Sequence, residues 1–357
     1  VPDSLLKEFC AFIDENTDDD SHVIASNEGT AIGLAVGHYL GSGNLPMVYL
    51  QNSGLGNIVN PILSLCDKEV YSIPLVLLIG WRGEPGIKDE PQHIKQGRVT
   101  PSILDSMEIP FKLITKNATQ SITNAKWALE TAKSSKHPVA LLVRKDSFDN
   151  SERERKIKQK NRGYISRENA ISIITENISK KSIIISTTGM ISRELYENRS
   201  INKEDRSKDF LTVGSMGHAS QIALGIAKAN PDKKIICLDG DGSALMHLGG
   251  MATIGTTNIG NLMHIVLNNG AHDSVGGQPT VAKKISLTSI AKACCYKYIE
   301  GPIKDKNEIE NVINRLMKLS GMCFVEIWVS KGSRPNLGRP KESPIHNKEI
   351  FIKNFRN

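Results

Sequence analysis

Two short stretches hold the most concentrated chemistry in the chain: DGDGSA at 239–244 and VLNNGAHDS at 266–274. Each stretch begins or closes at the end of an apolar run with strand character. Gly240 and Gly242 let the backbone turn tightly and come close to a ligand, and Asp241 stands between them. The doubled Asn268–Asn269 ends the later run. A carboxylate and an amide oxygen on neighbouring strand ends make half a cage of hard oxygen donors. Mg²⁺ takes such donors, keeps octahedral geometry and shares its shell with phosphate oxygens. Taken singly, DGDG is a tight turn and NN a strand terminator. Together, after two apolar strands, they predict a metal–diphosphate site.

A second group of candidates lies nearer the start. Glu28, in SNEGTA, precedes a helical segment of small residues. It is either a first-turn acid complementing the helix dipole or a carboxyl with chemical work. Residues 81–98 read as one long connection, and connections of that length are usually functional or disordered. They carry Arg82, Lys88, His93, Lys95 and Arg98 among glycines and prolines. The arginine fork suits oxyanions, so Arg82, Lys88 and His93 are expected to bind an anion or to close over it. Lys95 and Arg98 are assigned to a solvated surface, balanced by Glu84, Asp89 and Glu90.

The elements that must position these groups alternate along the chain. HVIA (22–25), PMVYL (46–50), PLVLLIG (74–80) and PVALLV (138–143) read as strands in the first half. SIIIS (182–186), KIICLDG (234–240), NLMHIVLNN (261–269) and CFVEIWVS (323–330) repeat the pattern in the second. Apolar strands without alternation, separated by helices, predict an α/β chain of two domains, each a mainly parallel sheet flanked by helices on both faces. The expected boundaries are 1–148, a charged linker at 149–162, and 163–357 with a C-terminal tail; no central third domain is expected. In such sheets ligands sit beyond the carboxyl ends of the strands, where every polar cluster above falls.

Bulk properties narrow the class. With 357 residues, 39% hydrophobic and 23% charged, the chain is globular and long enough for two full cores. No apolar stretch reaches the roughly twenty residues that cross a bilayer. The opening VPDSLLKEFC has no basic segment, apolar core or cleavage site, so no secretory signal is expected. Six cysteines without CxxC spacing suit buried thiols in a reducing compartment, and a cytoplasmic location is expected. The net charge of +7 is carried partly by RERKIKQK (153–160). Glu154 interrupts that run and no aromatic residue is interleaved, so a solvated linker is expected rather than a nucleic-acid surface. Neither nucleic acid nor membrane is an expected partner.

The segment 240–269, from GDG to NN, resembles the cofactor motif of the thiamine diphosphate-dependent decarboxylase family. The resemblance implies thiamine diphosphate and Mg²⁺ as cofactors, with Asp241, Asn269 and the Ala271 carbonyl on the metal. Its spacing is one residue longer than in several members, which makes Asn268 a substitute for Asn269. Gly240, Gly242 and Ser243 would meet the diphosphate, the serine at a helix N-terminus. VGSMGHASQIALGIA (213–227) resembles the family's cofactor-bending segment. There the Gly214 carbonyl would accept from the 4′-amino group and Met216 would wedge between the rings. STTG (186–189) resembles the earlier diphosphate-side loop, with Thr188 and Gly189 as contacts. Glu28 would bond N1′ of the aminopyrimidine and promote ionisation at the thiazolium C2. In this family that glutamate and the diphosphate site come from different subunits, which implies a homodimer or higher.

Residues 49–97, the opening VPDSLLK and the closing 337–351 resemble the phosphonopyruvate decarboxylase branch. This implies non-oxidative decarboxylation of 3-phosphonopyruvate to phosphonoacetaldehyde and CO₂ in phosphonate biosynthesis, with a small anionic 3-substituted pyruvate as substrate. Asp3, Ser4 and Asn57 become pocket residues, and His93, His218 and His272 share the candidacy for proton donor. Members carry a further strand and helix before the VPDSLLK position, so the first strand of the first domain is expected to be missing. Sulfopyruvate decarboxylase is the nearest alternative. A non-catalytic binding protein is the alternative of another class, and it predicts salt-dependent association with DNA or RNA in place of Mg²⁺-dependent cofactor binding.

Overall fold

In this computed structural model, which describes residues 1–18, 21–149 and 163–356, the apolar runs assemble into two sheets whose strand pairs are all parallel. The chain divides into two compact units, Val1–Lys156 and Ile157–Asn357. The charged linker expected at 149–162 lies, apart from Asp149, outside the described residues.

The first unit runs α1 (Lys7–Asn16), α2 (Glu28–Ser42), β1 (Met47–Gln51), α3 (Leu55–Pro61), β2 (Val76–Gly80), α4 (Pro91–Ser106), β3 (Phe111–Ile114), α5 (Ala118–Ser135) and β4 (Val139–Val143). Its sheet has the order β1-β2-β4-β3, with Met47 opposite Val76 and Val76 opposite Val139. Every residue of β2 and β4 is buried, which is why their sequences show no polar alternation. Leu77, Ile79 and Leu142 pack with Ile32, Ile58 and Leu104 on one face. Val76, Leu78 and Leu141 pack with Leu6 and Ala128 on the other.

Two expectations need correction here. Residues 22–25 form no strand among the described residues, and Val23 is 55% exposed. An apolar run that short becomes a strand only where a neighbour can pair with it. The connection after β2 also ends at Glu90, not at residue 98. Pro91 opens α4, where its fixed φ and missing N–H cost nothing.

The second unit runs α6 (Arg167–Asn177), β5 (Ile183–Ser186), α7 (Met190–Ile201), β6 (Asp209–Leu211), α8 (Ala219–Ala229), β7 (Ile235–Gly240), α9 (Asp241–Met246), α10 (Gly249–Gly255), β8 (Leu262–Asn268), α11 (Leu287–Ala293), β9 (Tyr298–Ile303), α12 (Lys306–Leu316), β10 (Cys323–Trp328) and α13 (Pro344–Arg356). Its sheet order is β6-β5-β7-β8-β10-β9. From β5 the chain steps outward to β6, then returns to place β7 on the opposite side. The order therefore reverses between β5 and β7, and a crevice opens beyond their carboxyl ends. Ile183 and Ile185 join the core on one face while Ile184 joins the other. On α12, Ile309, Val312, Ile313 and Leu316 are the buried residues, the i, i+3, i+4, i+7 stripe of a helix on a sheet. Among the described residues no helix is long and apolar enough to cross a membrane.

Candidate active site

In the first unit the polar residues gather at the carboxyl ends of β1 and β2. Asn27 caps α2, its side chain accepting from the Gly29 N–H at 2.8 Å, so Glu28 is the first helical residue. An acid serving only the helix dipole would stay in water, yet Glu28 is 5% exposed. Its Oε2 accepts from Asn57 Nδ2 at 2.7 Å. The carboxyl lies over Gly54, where a Cβ would come within 2.5 Å of Oε1. Only glycine leaves that room. Asn57, on α3, thus touches Glu28 directly.

A second cluster lies beside it. Arg82 clamps Asp89 through Nε at 2.8 Å and Nη2 at 2.5 Å, and its Nη1 donates to Ser4 Oγ at 2.7 Å. Asp89 also accepts from the Gly83 N–H at 2.8 Å. The guanidinium fork expected to be open for an anion is therefore already occupied by a carboxylate. Glu84 is buried and pairs with Arg144 at 2.7 Å, so two of the three acids expected to balance a solvated loop, Glu84 and Asp89, form ion pairs with arginines of the same unit instead. Asp3 is fully buried against Gly80; the Leu5 N–H donates to its Oδ2 at 3.0 Å, and its Oδ1 has no partner. Burial pushes its carboxyl up to about 6. Lys88 lies exposed. His93 is buried with Nδ1 unpartnered, and burial, then the Arg82 charge, pushes its imidazole down to about 4.

In the second unit the loops after β5, β7 and β8 converge at the crevice. Residues two apart would share one face of a strand, but β7 ends at Gly240 and Asp241 already opens α9, which separates the two aspartates of DGDG. Asp239 points into the core, bonded to His264 Nε2 at 3.2 Å and to the Gly240 N–H at 2.9 Å. Asp241, the first residue of α9, is 2% exposed and accepts a short hydrogen bond from Thr280 Oγ1. Burial pushes its carboxyl up to about 6. Ser243 Oγ lies 2.9 Å from Thr187 Oγ1 and accepts from the Gly217 N–H at 3.1 Å, which ties three loops together. Gly189, at φ +94°, takes a conformation closed to other residues and packs on Ser274.

The two asparagines are distinguished by their partners. Asn268 is fully buried; its Nδ2 donates to Glu326 at 2.8 Å and its Oδ1 accepts from the Gly270 N–H at 3.0 Å. Asn269 donates to Asp273 at 2.6 Å and accepts from the Ala271 N–H at 2.9 Å. Ala271 faces Pro279 in an antiparallel bridge whose hydrogen bonds are made by the flanking residues, the His272 N–H to the Gln278 carbonyl at 2.8 Å and the Thr280 N–H to the Gly270 carbonyl at 3.1 Å. The Ala271 carbonyl accordingly accepts no hydrogen bond among the described residues, and neither does that of Gly214. Above Gly242, where a Cβ would meet His272 Cε1 at 2.9 Å and Met216 Cε at 3.3 Å, only glycine fits. Burial pushes His272 down to about 4. His218 is exposed and lies against His247, 4.5 Å between centroids with the rings tilted by 54°.

Both ends of the chain match the models of a single enzyme class. Residues 1–109 match the N-terminal and residues 187–327 the C-terminal thiamine pyrophosphate-binding domain of thiamine pyrophosphate enzymes. The phosphonopyruvate decarboxylase of Streptomyces viridochromogenes is 33% identical over 337 residues, covering 90% of this chain and 82% of that one. The chain belongs to the thiamine diphosphate-dependent decarboxylases. A second member, the phosphonopyruvate decarboxylase of Streptomyces hygroscopicus, is 32% identical over 90% of this chain and 81% of its own. The sulfopyruvate decarboxylase of Methanosarcina acetivorans is 28% identical, with 99% and 94% covered.

The crevice of this family member fits its cofactor and a divalent cation. It offers an uncompensated buried carboxylate, a carbonyl without a donor, an amide oxygen and a glycine floor. Thr187 and Thr280, which touch Ser243 and Asp241, are the crevice residues that motif spacing did not reveal. Thr280 lies 39 residues beyond Asp241 and arrives through the bridge at Ala271.

Asp241 gives a pH dependence with a definite sign. Its folded value of about 6 is above the ordinary 3.8, so its contribution to the stability of the metal-free protein is full below that ordinary value and is lost as pH rises through 6. A cation held by this carboxylate would need its ionised form. The Mg²⁺ concentration that half-saturates cofactor binding is expected to rise about tenfold per pH unit below 6 and to level off above it. Mg²⁺ titrations at fixed thiamine diphosphate between pH 5 and 8 would check this; a flat profile would remove Asp241 from the cation.

Proposed function

We propose that this protein decarboxylates 3-phosphonopyruvate to phosphonoacetaldehyde and CO₂. The observation that carries the choice of substrate is the pair of phosphonopyruvate decarboxylases, at 33% and 32% identity, against 28% for the sulfonate enzyme. Asp241, Asn269 and the Ala271 carbonyl hold Mg²⁺. Asn269 takes this role rather than Asn268 because Asn268 ends β8 with its amide turned to Glu326 on the neighbouring β10, whereas Asn269 lies beyond the strand in the loop that carries Ala271. Ser243, Gly189 and Thr188 border the diphosphate, with Gly240 and Gly242 giving it room. Gly214 offers its carbonyl to the aminopyrimidine and Met216 supports the bent cofactor.

Bound thiamine diphosphate supplies the electron sink for the pair left behind by CO₂. The chain's own residues handle protons and position. Asn57 holds Oε2 of Glu28, which leaves Oε1 to hold and release a proton at the aminopyrimidine. Glu28 is shielded from water, so that proton stays on the path between carboxyl and cofactor. His93 and His272 are uncharged near neutral pH, so they serve as hydrogen-bond donors or relays at the product carbon and not as cationic acids. Asp3, Ser4, Arg82 and Lys88 form the anion-recognising edge. Arg82 reaches substrate only by loosening its clamp on Asp89, which couples substrate charge to loop rearrangement. Purified protein is expected to turn over phosphonopyruvate with a higher kcat/KM than sulfopyruvate. The opposite preference, measured as CO₂ release from each acid, would transfer the assignment to the sulfonate.

The functional unit is a homodimer or larger, with Glu28 of one copy serving the diphosphate site of another. Mixing inactive Glu28→Gln and Asp241→Asn proteins under conditions of subunit exchange is expected to restore about a quarter of wild-type activity, because half the dimers are mixed and each has one intact site. A mixture that stays inactive although mixed dimers form would contradict this arrangement.

A further inference from the structure

Arg167 is the first residue of α6, where the helix dipole disfavours a cation, and it is only 4% exposed. A buried arginine is tolerated when its fork is fully paired. Glu194, 1% exposed on α7, takes two prongs, Nε at 2.7 Å and Nη2 at 2.9 Å. The third prong, Nη1, donates to Asp273 Oδ2 at 2.9 Å. That same oxygen accepts from the Gly332 N–H at 2.9 Å and from Asn269 Nδ2 at 2.6 Å. Three segments distant in sequence thus converge on one oxygen beside the crevice.

The consequence falls on the Asn269 amide. An ionised carboxylate only accepts, so the amide must turn its NH₂ toward Asp273. The Ala271 N–H, 2.9 Å from the other end, demands an oxygen there. Both neighbours select the same orientation and leave one lone pair of Oδ1 unclaimed. We infer that Glu194, Arg167 and Asp273 form a positioning relay that locks the Asn269 amide with its oxygen toward the metal. The inference rests on the proposed role of Asn269 as a ligand. Such outer partners set the orientation and donor strength of the groups that touch a metal.

The test is thiamine diphosphate binding by calorimetry across a series of Mg²⁺ concentrations, repeated with Ca²⁺, alongside thermal melting of the metal-free proteins. Asp273→Asn is nearly isosteric, and it is expected to raise the half-saturating Mg²⁺ concentration by about 10- to 100-fold. Arg167→Lys, which keeps the charge and loses the fork, is expected to shift it in the same direction by less. A loosened ligand also weakens the preference for the smaller, geometrically stricter ion, so the ratio of half-saturating Ca²⁺ to Mg²⁺ should fall in both variants. A lower melting temperature with that ratio and the Mg²⁺ midpoint unchanged would overturn the relay and leave Asn269 as a ligand. Wild-type binding that ignores divalent cations would overturn the ligand assignment as well.

Discussion

Glu28→Gln is expected to lower CO₂ release from phosphonopyruvate by about 10²- to 10⁴-fold, the range spanned by a positioned acid–base group. Glutamine keeps the shape of the side chain over Gly54 and can still accept from Asn57 through its oxygen. Its other end becomes an NH₂ that cannot take and return a proton. Cofactor affinity should change little, since the residues we propose for the diphosphate and the metal are others. Calorimetry and single-turnover kinetics on the same preparation separate the two effects. Rates within a few-fold of wild type would return Glu28 to the bland role of a first-turn acid.

The second large effect is expected at Asp241. Asp241→Asn should weaken Mg²⁺-dependent cofactor binding by more than about 100-fold, beyond what loss of an outer partner costs. The same change should raise the melting temperature of the metal-free protein at pH 7. Burial holds the Asp241 carboxyl at about 6, so near neutrality the folded protein keeps an uncompensated charge that asparagine removes. A variant that gains stability while losing the cation cannot be dismissed as misfolded. Retained Mg²⁺ dependence would place the cation elsewhere.

These residues were legible because their signals are local. DGDG and NN each announce a strand end, and the parallel pairing of β7 with β8 sets those two ends side by side. The parallel sheets were equally legible, since strands such as Val76–Gly80 and Val139–Val143 are buried on both faces and show it as unbroken apolar runs. What escaped depends on contacts between distant segments. Thr280 reaches Asp241 only because the chain doubles back at Ala271 and Pro279. Thr187, and not its neighbour Thr188, meets Ser243 because of how the backbone turns into Gly189. Arg82 looked like an open anion fork, and nothing in its spacing marked Asp89 as the partner that fills it. The start of α4 was written in the Glu90–Pro91 pair, but the charges around it suggested a longer loop.

The most direct measurement is a crystal structure of the protein grown with thiamine diphosphate and Mg²⁺. The diphosphate is expected in the crevice beyond β5 and β7, with the ion bound by Asp241, Asn269 and the Ala271 carbonyl. A cofactor bound with its phosphoryl groups away from Asp241 would contradict that placement.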